Sequence, residues 1–224
     1  MKLFLTSSGI TNNILANALS LLAGKPLSEI NLLFIPTAAN TEGEDKSWLI
    51  NNLVDFQKLN LRSIDILDIA AVTPDVWQER FLKKDVICFG GGNEKYLAEV
   101  FDTARMKEFL ALMPENIVYM GISAGSMVAG KFMPDTLYPK IFPEEDFGSG
   151  KSAAIAMYDF CFIPHLNSDF FIHNRKENLD GLKDAFETDV YATDDETAIA
   201  IDGDHLEIVG TGESWVFRKE SGGQ

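Results

Sequence analysis

An α/β fold on a mostly parallel sheet is predicted by three observations. Short β-rich runs alternate with longer amphipathic ones through the first half of the chain. The β-rich runs are continuously apolar, as strands covered on both faces are. Several of them end in turn chemistry, which in open α/β sheets gathers ligand-binding loops on one rim. Together these predict a three-layer α/β/α sandwich in a single domain, residues 1–224, with Ser221 to Gln224 disordered.

Taken in order, the strands expected are Lys2 to Ser7, Asn31 to Pro36, Ser63 to Asp68, Asp85 to Phe89 and Ile117 to Met120. The helices between them are Asn12 to Ala23, Asp45 to Lys58, Pro74 to Lys84 and Glu94 to Leu112, each with apolar residues at helical spacing, as in Trp48, Leu49, Asn52, Leu53 and Phe56. Beyond residue 130 the prolines at 134, 139 and 143 and the run Glu144 to Gly150 read as a long irregular excursion. A strand at Phe160 to Ile163 and a helix at Glu177 to Glu187 follow. Short β runs at Ala198 to Ile201, Leu206 to Val209 and Ser214 to Phe217 close the chain, the final pair expected as an antiparallel hairpin.

Composition narrows the function classes. A net charge of −15 without a Lys/Arg stripe excludes nucleic acid as a partner. No apolar run is long enough to span a bilayer and the N-terminus does not read as a signal peptide, so a cytoplasmic protein without a membrane partner is expected. Cys88 and Cys161 both sit in apolar strand-like runs and read as buried core thiols.

The chemistry-bearing motif is Gly121-Ile122-Ser123-Ala124-Gly125, a G-x-S-x-G string between an apolar strand and a helix-compatible segment. In that context the turn strains the serine, and the next amide points at a developing oxyanion. Ser123 is therefore the candidate nucleophile, and Ser126 reads as a packing or capping residue. Of three histidines, His205 and His173 sit in polar turns. His165 ends the strand Phe160 to Pro164 and is the candidate base.

A third residue, a carboxylate to orient the imidazole, is sought between nucleophile and base: Asp135, Glu144, Glu145, Asp146 and Asp159 are the candidates. Oxyanion donors are expected from Ala124 and from the turn Gly90-Gly91-Gly92-Asn93. That turn matches neither the G-x-G-x-x-G nor the P-loop pattern, so it does not predict a phosphate site.

The Gly-Gly-Gly-Asn turn, the Gly-x-Ser-Ala-Gly elbow and the Pro164-His165 pair resemble the peptidase E family of serine peptidases, with cyanophycinase as a more distant relative. The resemblance covers nearly the whole chain. It implies a class I glutamine amidotransferase-like (flavodoxin-like) fold, with Ser123 as nucleophile, His165 as base and the amides of Gly91 or Gly92 and Ala124 as the oxyanion hole. Asp135 is the nearest match to the family's acid, while the cyanophycinase-like branch keeps Glu144 and Glu145 in view.

It further implies hydrolysis of a small peptide near its N-terminus, without metal or organic cofactor, and removal of N-terminal aspartate in particular. Asn93 and Arg175 are the expected substrate contacts, Arg175 as a carboxylate clamp. Two features depart from the family: Ser168 to Lys176 replaces its Gly-Glu-Thr-Arg segment, which weighs against aspartate specificity, and the loop from Pro134 to Gly150 is longer. A glutaminase would carry cysteine at the elbow. The rival from another class is a non-catalytic sensor or binding protein, and self-association as a homodimer is left open.

Overall fold

The computed structural model describes residues 1–43, 45–145 and 154–220. Its centre is a seven-stranded sheet, ordered β3-β2-β4-β5-β1-β8-β9, built from β1 (Lys2–Thr6), β2 (Asn31–Ile35), β3 (Ser63–Ile66), β4 (Val86–Phe89), β5 (Val118–Ile122), β8 (Thr197–Asp202) and β9 (His205–Gly210). The first five strands pair in parallel, and β8 and β9 extend the sheet antiparallel. A second sheet of three strands, β10-β7-β6, holds β6 (Phe160–Ile163), β7 (Asp189–Thr193) and β10 (Ser214–Phe217).

Two apolar layers enclose the large sheet, which is why its inner strands read as unbroken apolar runs. On one face Leu32, Phe34, Val86, Cys88, Val118 and Met120 pack against α1 (Asn13–Ala23) and α2 (Ser47–Lys58). On the other, Leu33, Ile35, Ile87, Phe89 and Tyr119 meet α3 (Pro74–Phe81), α4 (Glu94–Ala104), α5 (Met106–Ala111) and the second sheet. Fully buried Trp77, Phe81, Phe89 and Phe101 dominate this layer. Each such side chain contributes about 1.5–3 kcal/mol of transfer free energy. Cys88, in the first layer, and Cys161, in the second, are free, buried thiols.

Local chemistry sets the element ends. Asn12 caps α1 through its Oδ1, which accepts from Ile14 N and Leu15 N at 3.0 Å, and Gly24 closes it in the left-handed region. The single helix expected from Glu94 to Leu112 is two, because Arg105 adopts φ 53° and breaks the ladder between α4 and α5. The helix expected to reach Glu187 spans only Lys176–Leu182 and is followed by a 3-10 turn, Lys183–Ala185.

The tail departs more strongly from the sequence reading. The strand β7 was not anticipated, and β9 and β10 do not form a hairpin: β9 pairs with β8, whereas β10 crosses to β7. The apolar faces decide this, since Trp215 and Phe217 on β10 pack against Phe186, which leads into β7. The disorder expected for Ser221 to Gln224, and most of the run Glu144 to Gly150, lie outside the described residues.

Candidate active site

The parallel strands end on one rim, and there the chain turns sharply at Ser123 between β5 and α6 (Ala124–Met127). Ser123 has φ 49° and ψ −111°, a strained conformation for a residue with a Cβ. Packing enforces it. A methyl group at Gly125 would lie 2.0 Å from Phe89 O, and one at Gly121 would lie 2.5 Å from Ser126 Cα, so only glycines let the helix start press onto β4 and β5.

Hydrogen bonds hold the turn rigid. Ser123 N donates to Thr6 O at 2.9 Å. Ser126 Oγ accepts from Thr6 N (3.0 Å) and donates to Thr6 O (2.8 Å), a buried structural role in line with its reading as a packing residue. Tyr119 Oη and Tyr158 Oη donate to the carbonyls of Gly125 and Ser126 at 2.7 and 2.6 Å. Carbonyls that a four-residue helix leaves open are thereby satisfied.

His165 follows β6 and, like Ser123, has a positive φ, 61°. Its backbone N donates to Ser7 Oγ at 3.0 Å, and Ser7 Oγ in turn bonds Thr193 O at 2.8 Å. Asn174, fully buried, donates to Pro164 O, and Leu166 N donates to Thr193 O at 2.9 Å. The imidazole so held places Nε2 3.0 Å from Ser123 Oγ. β6 belongs to the smaller sheet, so His165 reaches the serine from across a sheet boundary rather than along the same rim of strands.

The other ring nitrogen, Nδ1, lies 2.7 Å from Asp195 Oδ1. Asp195 sits in the short turn that carries the chain from β7 in the small sheet to β8 in the large one, with its carbonyl accepting from Thr11 Oγ1 at 2.7 Å. Burial raises its carboxyl pKa, but the hydrogen bond and charge of His165 and the hydroxyl of Ser8 outweigh burial and leave it below the usual value. An ionised Asp195 stabilises the tautomer with hydrogen on Nδ1, freeing Nε2 to accept from Ser123.

The acid was expected between nucleophile and base, and none of the described candidates there bonds His165. Asp135 is exposed and pairs with Lys95 at 3.0 Å, because it follows a segment that runs to α4 rather than back over the serine. Asp159 pairs with Lys131. Glu145 is close enough to His165 to interact with it electrostatically, but burial, then Glu42 and Glu144, push its carboxyl up. Glu144 lies exposed beside it, and Asp146 is outside the described residues.

The glycine turn expected to supply oxyanion donors lies beside the serine. A methyl at Gly91 would lie 3.4 Å from Ser123 Cβ, so the Gly90 to Asn93 turn passes directly beside the serine. Among the described residues no backbone bond uses the N–H of Gly91, Gly92 or Ala124. Gly92, at φ 124°, is wedged against Ala38 O, whereas Gly91 faces the serine. Asn93 N donates to Ala38 O (2.9 Å) and its Oδ1 accepts from Tyr96 N (2.9 Å), so the residue expected on substrate caps α4 and pins the turn. Arg175, the expected clamp, directs Nη1 to the carbonyls of Phe171 and Asn174 at 3.2 Å.

Fold and site together define an α/β protein of the nucleophile-elbow class, with a strained serine, a histidine and a carboxylate in line. The chain belongs to peptidase family S51, whose family model matches residues 3–209, and so to a family of peptidases. Two solved structures share the fold. One is a protein of Listeria monocytogenes EGD-e named as a candidate peptidase E (22% identity, TM-score 0.72, covering 94% of this chain and 98% of that one). The other is a peptidase from an acI-B1 Actinobacterium (22% identity, TM-score 0.69, 97% and 90%). No curated protein shows a significant match. Among the described residues no helix is long and apolar enough to cross a membrane, and no group of three or more His, Cys, Asp or Glu could hold a metal ion.

Proposed function

We propose that this protein is a serine peptidase that cleaves short peptides near the N-terminus through an acyl-enzyme. The observation that carries the reading is the continuous array from Ser123 Oγ through His165, 3.0 Å to one ring nitrogen and 2.7 Å from the other to Asp195, beginning at a strained serine. Ser123 Oγ attacks the scissile carbonyl while His165 Nε2 takes its proton. The C–N bond then breaks, the same proton passes to the leaving amine, and a water activated by His165 releases the acyl group. Asp195 stabilises the imidazolium formed in each half, and the amides of Gly91 and Ala124 face the developing oxyanion.

A non-catalytic sensor would have no need of an imidazole aligned on both sides, so the complete array favours an enzyme. The test is covalent labelling with a fluorophosphonate, read by intact mass and peptide mapping, alongside peptide hydrolysis. Wild type is expected to take up one reagent at Ser123, and Ser123→Ala to lose both labelling and hydrolysis. Full peptide hydrolysis by the Ser123→Ala protein would refute the reading.

A further inference from the structure

The surroundings of the Ser123–His165 pair are apolar where an aspartate-specific site would need a cation. Gly91, beside Ser123, also faces Trp48 of α2: a methyl there would be 3.5 Å from Trp48 Cζ3 and 3.4 Å from Ser123 Cβ. Trp48 keeps 38% of its surface exposed, so part of the indole remains available next to the serine. On the other flank Phe171 lies against the His165 ring, centroids 5.1 Å apart, and is itself edge-on to Phe142 (5.2 Å) and Phe170 (4.8 Å). Phe170 and Ile172 extend this rim with 65% and 59% exposure, high for large apolar side chains.

The charged groups point the same way. Lys46 Nζ donates to Ala39 O at 2.8 Å, Lys95 pairs with Asp135, and Arg175 bonds its own loop's carbonyls. Glu145, within electrostatic reach of His165, also interacts with Glu42 and Glu144. These cations are already bonded to protein acceptors and the carboxylates of Glu42, Glu144 and Glu145 gather toward His165, so a carboxylate side chain on a substrate would meet like charge there, whereas an aromatic or branched one would meet ring faces.

We propose that the residue whose carbonyl Ser123 attacks carries a large apolar side chain, seated against Trp48, and that the rim of Phe170, Phe171 and Ile172 continues this apolar surface past His165. The inference rests on the serine-peptidase reading and names its substrate class. Assignment of the two flanks follows from the chemistry: the glycine turn that faces the carbonyl oxygen touches the acyl side, and the histidine that returns a proton to the amine faces the leaving side.

The test uses α-aminoalkyl phosphonate esters that differ only in side chain, benzyl, isobutyl, methyl or carboxymethyl, with the rate of Ser123 modification followed by intact mass. The benzyl reagent is expected to react at least about tenfold faster than the carboxymethyl one, the scale on which a hydrophobic pocket discriminates. Trp48→Ala should collapse the benzyl-to-methyl ratio toward unity and Trp48→Phe should keep most of it, with Phe170→Ala as a second probe of dipeptides carrying an apolar leaving residue. A carboxymethyl preference, or a benzyl preference untouched by Trp48→Ala, overturns the inference while Ser123 labelling still upholds the peptidase. Failure of every reagent, the fluorophosphonate included, removes the peptidase reading and this one with it.

Discussion

His165 Nδ1 and Asp195 Oδ1 lie 2.7 Å apart, the imidazole from the small sheet and the carboxylate from the turn that joins that sheet to the large one. Histidine orientation thus depends on how two sheets dock, and the carboxylate enters after the histidine in the chain.

Asp195→Asn should therefore cut kcat by roughly 10⁴-fold with little change in fold, because an amide can stabilise the wrong imidazole tautomer and cannot balance the imidazolium. Asp135→Asn should stay within about threefold of wild type. Steady-state peptide hydrolysis by the two variants checks the pair, and a large loss from Asp135→Asn alone would reverse the assignment.

Glu94 gives stability a pH dependence. Its side chain is fully buried, Tyr138 Oη donates to Oε1, and among the described residues Oε2 has no partner. Burial raises its pKa to about 7, with Asp135 adding to the rise and Tyr138 and Lys95 opposing it. The unfolded chain releases this proton near the ordinary glutamate value of 4.5, so between that pH and about 7 the folded state holds the extra proton and loses stability as pH rises. The loss amounts to ~3 kcal/mol and levels off above pH 7. Glu94→Gln should gain that amount on wild type across the same window in urea titrations; parallel curves would refute it.

Ser126 is buried and bonded to both polar groups of the Thr6 backbone. Ser126→Ala should cost about 1–3 kcal/mol, since Thr6 N loses its partner in the interior. Fluorophosphonate labelling at Ser123 should persist in the folded variant, separating the two serines of the motif.

Gly125→Ala should be far more damaging than its size suggests. The added methyl would sit 2.0 Å from the Phe89 carbonyl oxygen, and backbone on both sides must move. A drop in thermal midpoint of about 6–12 °C or more, or loss of soluble protein, is expected, from a strain of about 3 kcal/mol or more.

Much of the fold was legible from the chain because parallel-sheet strands buried on both faces leave long apolar runs, and amphipathic helices leave a period. Those signals are local. β7 was missed because Asp189-Val190-Tyr191-Ala192-Thr193 is short and flanked by polar residues, and its strand character comes from its neighbours β6 and β10. Likewise, nothing near Ser214 to Phe217 tells which sheet the strand joins.

Sequence by itself determined the elbow and its glycines, the strand that leads to His165 and the glycine turn after β4, since each depends on residues adjacent in the chain. Tertiary structure alone decided which carboxylate meets His165. Asp195 stands between two other carboxylates, Asp194 and Glu196, and after the histidine in the chain, outside the stretch in which the acid was sought. Only the crossing from the small sheet to the large one aims Asp195 at the imidazole and leaves Asp194 to accept from Glu196 N and Glu213 N. A carboxylate's role is set by the donor it faces, and that donor comes from a distant segment that only folding brings near.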